Sequence, residues 1–135
     1  MPVRARVIVD NDYAGDPDGL FQLAHHVLSP SVEIPFVVAS RLPATMGPAA
    51  VGAVNRGMVA ATTVLKLLRS HHKVLGGAEE GLKLGIIPAL SPASEAIIRE
   101  AKREDTDLPL YYAAGGGLTE CQKSQSTSPS MHEYW

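Results

Sequence analysis

Val7-Ile8-Val9-Asp10-Asn11-Asp12-Tyr13-Ala14-Gly15-Asp16-Pro17-Asp18-Gly19 is the stretch that decides the reading of this chain. Three consecutive β-branched residues suit a strand buried on both faces. Four carboxylates then fall within nine residues, where the strand should end and a helix begin. Crowded carboxylates repel, so folding them together costs free energy unless something compensates. The helix that follows is Gly19 to Leu28, with Leu20, Leu23, Ala24, Val27 and Leu28 as its apolar stripe. Ser29-Pro30-Ser31 ends it.

Working outward, Val32 to Ala39 is a second strand, with Phe36-Val37-Val38 at its centre. Arg41 to Pro48 is a loop. Val51 to Ser70 repeats apolar residues at helical spacing, weakened by Gly52 and Gly57. Lys73-Val74-Leu75 is a short strand before Gly76-Gly77. Ser91-Pro92-Ala93-Ser94-Glu95 starts a third helix with a capping serine and a proline at the first helical position. Its buried face is Ala96-Ile97-Ile98 and Ala101, and Arg99 to Asp107 is its solvated, charged end. Leu108 to Ala114 is a strand closing on Gly115-Gly116-Gly117. Strands that alternate with helices predict an α/β fold, a mostly parallel sheet with helices on both faces. Ligands in such sheets bind at the carboxyl ends of the strands. The acidic turn and the triple-glycine turn both lie there, and they share one crevice if their strands are neighbours.

Composition narrows the class. The chain has 135 residues, 45% hydrophobic and 19% charged, enough for one soluble domain with a sizeable core. A net charge of −2 with no basic arm gives no nucleic-acid footprint. No apolar run approaches the roughly 20 residues that span a bilayer, and the start lacks the apolar core of a signal peptide. Cys121 is the single cysteine, so no intrachain disulfide forms. The expected setting is cytoplasmic, without membrane or nucleic-acid partners.

Hard divalent cations take about six to eight oxygen ligands, many from carboxylates. Asp10, Asp12, Asp16 and Asp18 alternate on one turn, so a metal is expected there. The structural alternative is helix capping by Asp16 or Asp18. An EF-hand fits poorly, because the twelfth position from Asp10 is Phe21, not Glu. Asp10-Asn11-Asp12 after an apolar strand also suits a phosphatase of the haloacid dehalogenase class, with Asp10 as nucleophile. His25, His26, His71 and His72 read as surface or packing residues, and spacing gives His132 no role.

Three segments together resemble the inosine–uridine-preferring nucleoside hydrolases. Val7 to Asp16 is similar to the family's strand plus Asp-x-Asp-x-x-x-Asp-Asp signature. Lys73-Val74-Leu75-Gly76-Gly77-Ala78 is similar to its short strand and glycine turn. Leu110 to Glu120 resembles its strand ending in Gly-Gly-Pro-Leu-Thr-Asn. The resemblance implies a Rossmann-like fold of the nucleoside-hydrolase type and hydrolysis of the N-glycosidic bond of ribonucleosides, a salvage reaction, with calcium as cofactor. It makes Asp12 the general base and a calcium ligand, and Asp10 a support of the ion site. It places Asp16 on ribose and at the metal, and has Thr119 offer its backbone carbonyl to the ion. The last signature aspartate falls on Pro17, so Asp18 is expected to take over. Ala39-Ser40-Arg41 stands in place of the family's Gly-Asn, Gly117 in place of its proline, and Glu120 in place of its asparagine.

Family members are longer and commonly dimers or tetramers, so a homo-oligomer is expected. Residues 1–120 are expected to form an N-terminal half of such a domain, with 121–135 a divergent loop or disordered tail. The expected chain is apparently truncated and incomplete as an enzyme by itself. The rival expectation is a non-catalytic relative that binds an ion or ribose, or serves as an interaction module.

Overall fold

The computed structural model describes residues 1–86 and 89–127. Strand β1, Ala5–Asn11, lies in the middle of the sheet. It pairs in parallel with β5, Leu110–Ala114, on one edge. On the other edge it pairs in parallel with two short pieces, β2 (Val32–Glu33) and β3 (Val37–Ala39). The second strand read from the sequence is thus interrupted at Ile34-Pro35-Phe36, where proline cannot donate to the ladder. Strand β4, Val74–Gly76, pairs in parallel with β3 at the far edge.

Helices cover both faces, as the alternation of elements predicts. Helices α1 (Asp18–Leu28) and α2 (Ala53–Leu67) lie over one face. There Leu23, Ala61 and Leu65 pack with Val7, Val9, Val37 and Ala39. Helix α3, Pro92–Ala101, lies over the other, where Ala93, Ala96, Ile97 and Ala101 pack with Ile8, Phe36 and Val38. The period of two in a strand sends Val7 and Val9 one way and Ile8 the other. Ile8 and Val9 are fully buried, which matches the two-sided burial expected of a parallel strand. Among the described residues no helix is long and apolar enough to cross a membrane.

Local signals explain the ends. Ser91 caps α3: its Oγ accepts from the Ser94 backbone N–H at 3.1 Å, and Ser94 Oγ accepts from the Ser91 N–H at 2.8 Å. Gly52 takes φ +64 at the start of α2, a left-handed conformation that glycine adopts without strain. Much of the loop read over Arg41 to Pro48 is a 3₁₀ segment, Ala44–Ala50, kinked at Gly47.

Two sequence expectations change. Residues 121–127, read as loop or disordered tail, belong to a helix, α4 (Thr119–Thr127); residues 128–135, with His132, lie outside the described residues. Helix α4 carries no apolar stripe; its inward face is Glu120, Lys123 and Ser124, so a search for apolar periodicity passes over it. Glu100, read as part of a solvated helix end, is buried. Its Oε1 accepts from Arg6 Nη1 at 2.6 Å and from Arg103 Nη1 at 2.9 Å. Arg6 also donates to the Leu108 carbonyl at 3.1 Å, so this pair ties β1, α3 and the lead-in to β5 at the floor of the sheet.

Truncating one partner of a buried ion pair strands the other charge. Glu100→Ala is therefore expected to lower stability by about 3–5 kcal/mol, read as a lower urea midpoint. A midpoint unchanged from the wild type would show that the pair does not hold the sheet floor.

Candidate functional site at the carboxyl ends of β1 and β5

The two turns singled out in the sequence do meet. Strands β1 and β5 are neighbours with Asp10 opposite Ala114, and the Gly115 N–H donates to the Asp10 carbonyl at 2.8 Å. The glycine turn presses onto the acidic turn. A Cβ on Gly116 would lie 3.1 Å from the Asp12 backbone nitrogen. A Cβ on Gly115 would lie 2.0 Å from Asn11 Nδ2, and one on Gly19 would lie 2.7 Å from Asn11 Cγ. The Asn11 side chain is wedged between two glycines. It donates from Nδ2 to Gln22 Oε1 at 2.8 Å and accepts at Oδ1 from the Asp12 N–H at 2.8 Å. The middle residue of Asp-x-Asp thus fixes the backbone of Asp12 against α1.

The four aspartates fall into separate environments. Asp10 is fully buried. Its Oδ1 accepts from the Ser40 hydroxyl and its Oδ2 from the Tyr112 hydroxyl. Burial pushes its carboxyl up to about 6, and the nearby charges of Glu120 and Asp12 add to that, against the lowering effect of the two hydroxyls. Asp12 is half-buried; burial raises its carboxyl, with Asp18 and Asp16 adding like-charge repulsion. Asp16 and Asp18 are exposed. Asp18 opens α1 and accepts at Oδ1 from the Gly19 N–H at 2.9 Å, while the N-cap position itself is Pro17. Thr119 is half-buried and opens α4.

The expected calcium ligands are therefore not gathered into one shell. Among the described residues no group of three or more His, Cys, Asp or Glu is placed to hold a metal ion. Both Asp10 oxygens already accept hydrogen bonds inside the fold. The ligand set implied by the resemblance does not fit this arrangement.

Other residues matter here to which the sequence reading gave no role. Glu120 is buried; its Oε1 accepts from the Ala78 N–H at 2.7 Å and its Oε2 from the Ser91 hydroxyl. It joins the turn after β4, the cap of α3 and the start of α4. Arg41 donates from Nε to the Glu79 carbonyl at 3.2 Å. Tyr13 is buried with its hydroxyl unpartnered among the described residues. Burial, with the Asp10 charge, raises the Cys121 thiol, which opposes a reactive thiolate. The signal for Ser40 and Tyr112 was phase. Both are polar residues two positions beyond an inward apolar residue, Val38 and Leu110, on the face that holds Ile8 and Asp10. A cavity of about 700 Å³ runs beside β5, between Leu108 and α4, and none of the four aspartates lines it.

No family model matches the sequence, and no curated protein matches it significantly. Among solved structures, an inosine-guanosine nucleoside hydrolase shares the fold. It matches with a TM-score of 0.66 and 18% identity, over 95% of this chain and 44% of the neighbour's. This chain is an α/β domain of the nucleoside-hydrolase fold, spanning less than half the length of that neighbour.

Two predictions follow from the packing. Gly115→Ala forces a methyl into the pinned Asn11 amide and is expected to cost about 1–3 kcal/mol, seen in thermal or urea unfolding. The second concerns pH. The Asp10 carboxyl titrates higher in the fold, at about 6, than its ordinary value of 3.8, so the folded chain binds the extra proton between those values. Its contribution to stability is full below about pH 4 and is lost as pH rises through about 6, a change of about 3 kcal/mol. Asp10→Asn should remove this component, so the difference between wild-type and variant unfolding free energies should change across that window. A constant difference from pH 4 to pH 7 would refute the assignment.

Proposed function

We propose that the chain is a ribonucleoside-handling domain of the nucleoside-hydrolase type, with Asp12 as its reacting carboxylate. The observation that carries this reading is the position of Asp12. It is a half-buried acid just beyond the carboxyl end of the central strand, held between the Asn11 wedge and the Gly116 turn, in a fold shared with a nucleoside hydrolase. Its raised carboxyl brings it closer to the range of a working general base. In that role it removes a proton as water attacks the anomeric carbon, and the base departs through an oxocarbenium-like transition state. Asp16 and Asp18 supply negative charge beside the developing cation. The resemblance gives calcium to this chemistry. The acids do not form a shell for it, so no step is routed through the ion, and calcium dependence is a variable to measure.

The second reading is a non-catalytic domain that binds an ion or ribose, or serves as an interaction module. The phosphatase reading loses its support, because Asp10 is fully buried and its oxygens are out of reach of a phosphate ester.

Release of free base from inosine, guanosine and uridine, with calcium and with a chelator, separates the readings. Hydrolysis that falls by about 100-fold or more in Asp12→Asn supports the leading one. Nucleoside binding by calorimetry without base release supports the second. Neither binding nor release would sink both.

A further inference from the structure

We propose that Asp10 is a buried tie that joins the carboxyl ends of β3, β1 and β5 through the hydroxyls of Ser40 and Tyr112, and that it takes no part in holding a cation. The reasoning begins with phase. Strand β1 continues two residues past its apolar run, to Asn11, and a strand alternates its side chains. Asp10 must therefore follow Ile8 onto the α3 face, inside the protein. There a carboxylate needs donors, because a buried polar group without them is costly. The two neighbouring strands supply one each. Ser40 follows Val38 just past the end of β3, and Tyr112 lies in β5 opposite Ile8. One hydroxyl goes to each carboxylate oxygen.

This arrangement uses the carboxylate in a way that a cation site would not. A hard cation needs oxygens that it can reach, together with several further oxygen ligands, often from water. Asp10 is fully buried, and no face of its carboxylate is open to an ion and its water ligands. The acids that remain exposed or half-exposed, Asp12, Asp16 and Asp18, sit further along the turn. The functional role of Asp-x-Asp therefore divides: the first acid ties strands, the middle asparagine sets the backbone, and the second acid faces solvent. The tie stands independently of any action on nucleosides.

Two measurements on the full chain test it. In urea unfolding, Tyr112→Phe and Ser40→Ala should each lower the midpoint, since each removes one donor from a buried carboxylate. Midpoints equal to the wild type in both would overturn the tie. In terbium luminescence and calcium calorimetry, Asp10→Asn keeps the shape of the side chain, and hydroxyls can donate to or accept from its amide. It should stay folded by circular dichroism and keep whatever cation affinity the wild type has within twofold. A folded Asp10→Asn protein that loses tenfold or more of that affinity would overturn the proposal. If the wild type binds neither ion, no aspartate is a ligand and the urea series alone decides the tie. Failure of base release with the urea result intact would remove the nucleoside reading and leave the tie standing.

Discussion

The pairing of β1 on both edges is the constraint on which the rest of the molecule depends. Parallel strands cannot be joined by tight turns, so each crossover must carry a helix back over the sheet. With β5 on one side and β2 and β3 on the other, β1 is paired on both edges at Arg6, Val9 and Asp10. Every carboxyl-end turn is then placed relative to β1. The acidic turn leaves β1 itself, and the glycine turn leaves the adjacent β5 in register with it. The meeting of the two turns is a result of topology before it is a result of side-chain chemistry.

The same constraint sorts the acids. A composition count sees four equivalent aspartates. Continuing β1 to Asn11 makes them unequal, because Asp10 is carried into the low-dielectric interior while Asp16 and Asp18 lie on the turn and first helical residue in water. Repulsion between exposed carboxylates is screened by solvent, whereas a buried one depends on its donors. The crowding that suggested an ion is thus relieved in part by separation into different environments. Asp12 stands at the boundary, shielded enough to be raised and open enough to meet a ligand.

The order of elements was legible in the sequence because it rests on local signals: β-branched runs, the helical stripe of α1, and the Ser91-Pro92 start of α3. The meeting of the turns was legible only conditionally, since strand adjacency is a long-range fact. Three features were not legible. The break of the second strand at Pro35 depends on which N–H groups the ladder requires. The burial of Glu100 depends on Arg6, 94 residues away. Helix α4 depends on polar rather than apolar contacts, so neither its composition nor its period announces it. At the site, the residues that matched a known signature drew attention away from the residues that did not. Ser40 and Glu120 entered as departures, yet both are buried hydrogen-bonding partners of the site's framework.

Helix α4 shows how such a departure is accommodated. An acid at position 120 is tolerable inside the protein only if its oxygens are met, and the Ala78 N–H and the Ser91 hydroxyl meet them. Gly77 lies against that carboxylate, with room for a Cβ only at 3.0 Å from Oε1. Ser91 has a double duty, because the hydroxyl that caps α3 also donates to Glu120. Lys123 and Ser124 extend the same polar contact to the Ala89 and Ser94 carbonyls at 3.1 and 3.3 Å. Directional contacts of this kind specify one docking geometry more strictly than apolar packing does, because a shift leaves polar groups unpaired. The start of α4, and with it Thr119 and the Gly115-Gly116-Gly117 turn, is therefore held from the β4 and α3 side, while Asn11 holds the acidic turn from the α1 side. The contact between the turns is braced from both faces of the sheet by side-chain hydrogen bonds, and Asp12 is placed by that bracing.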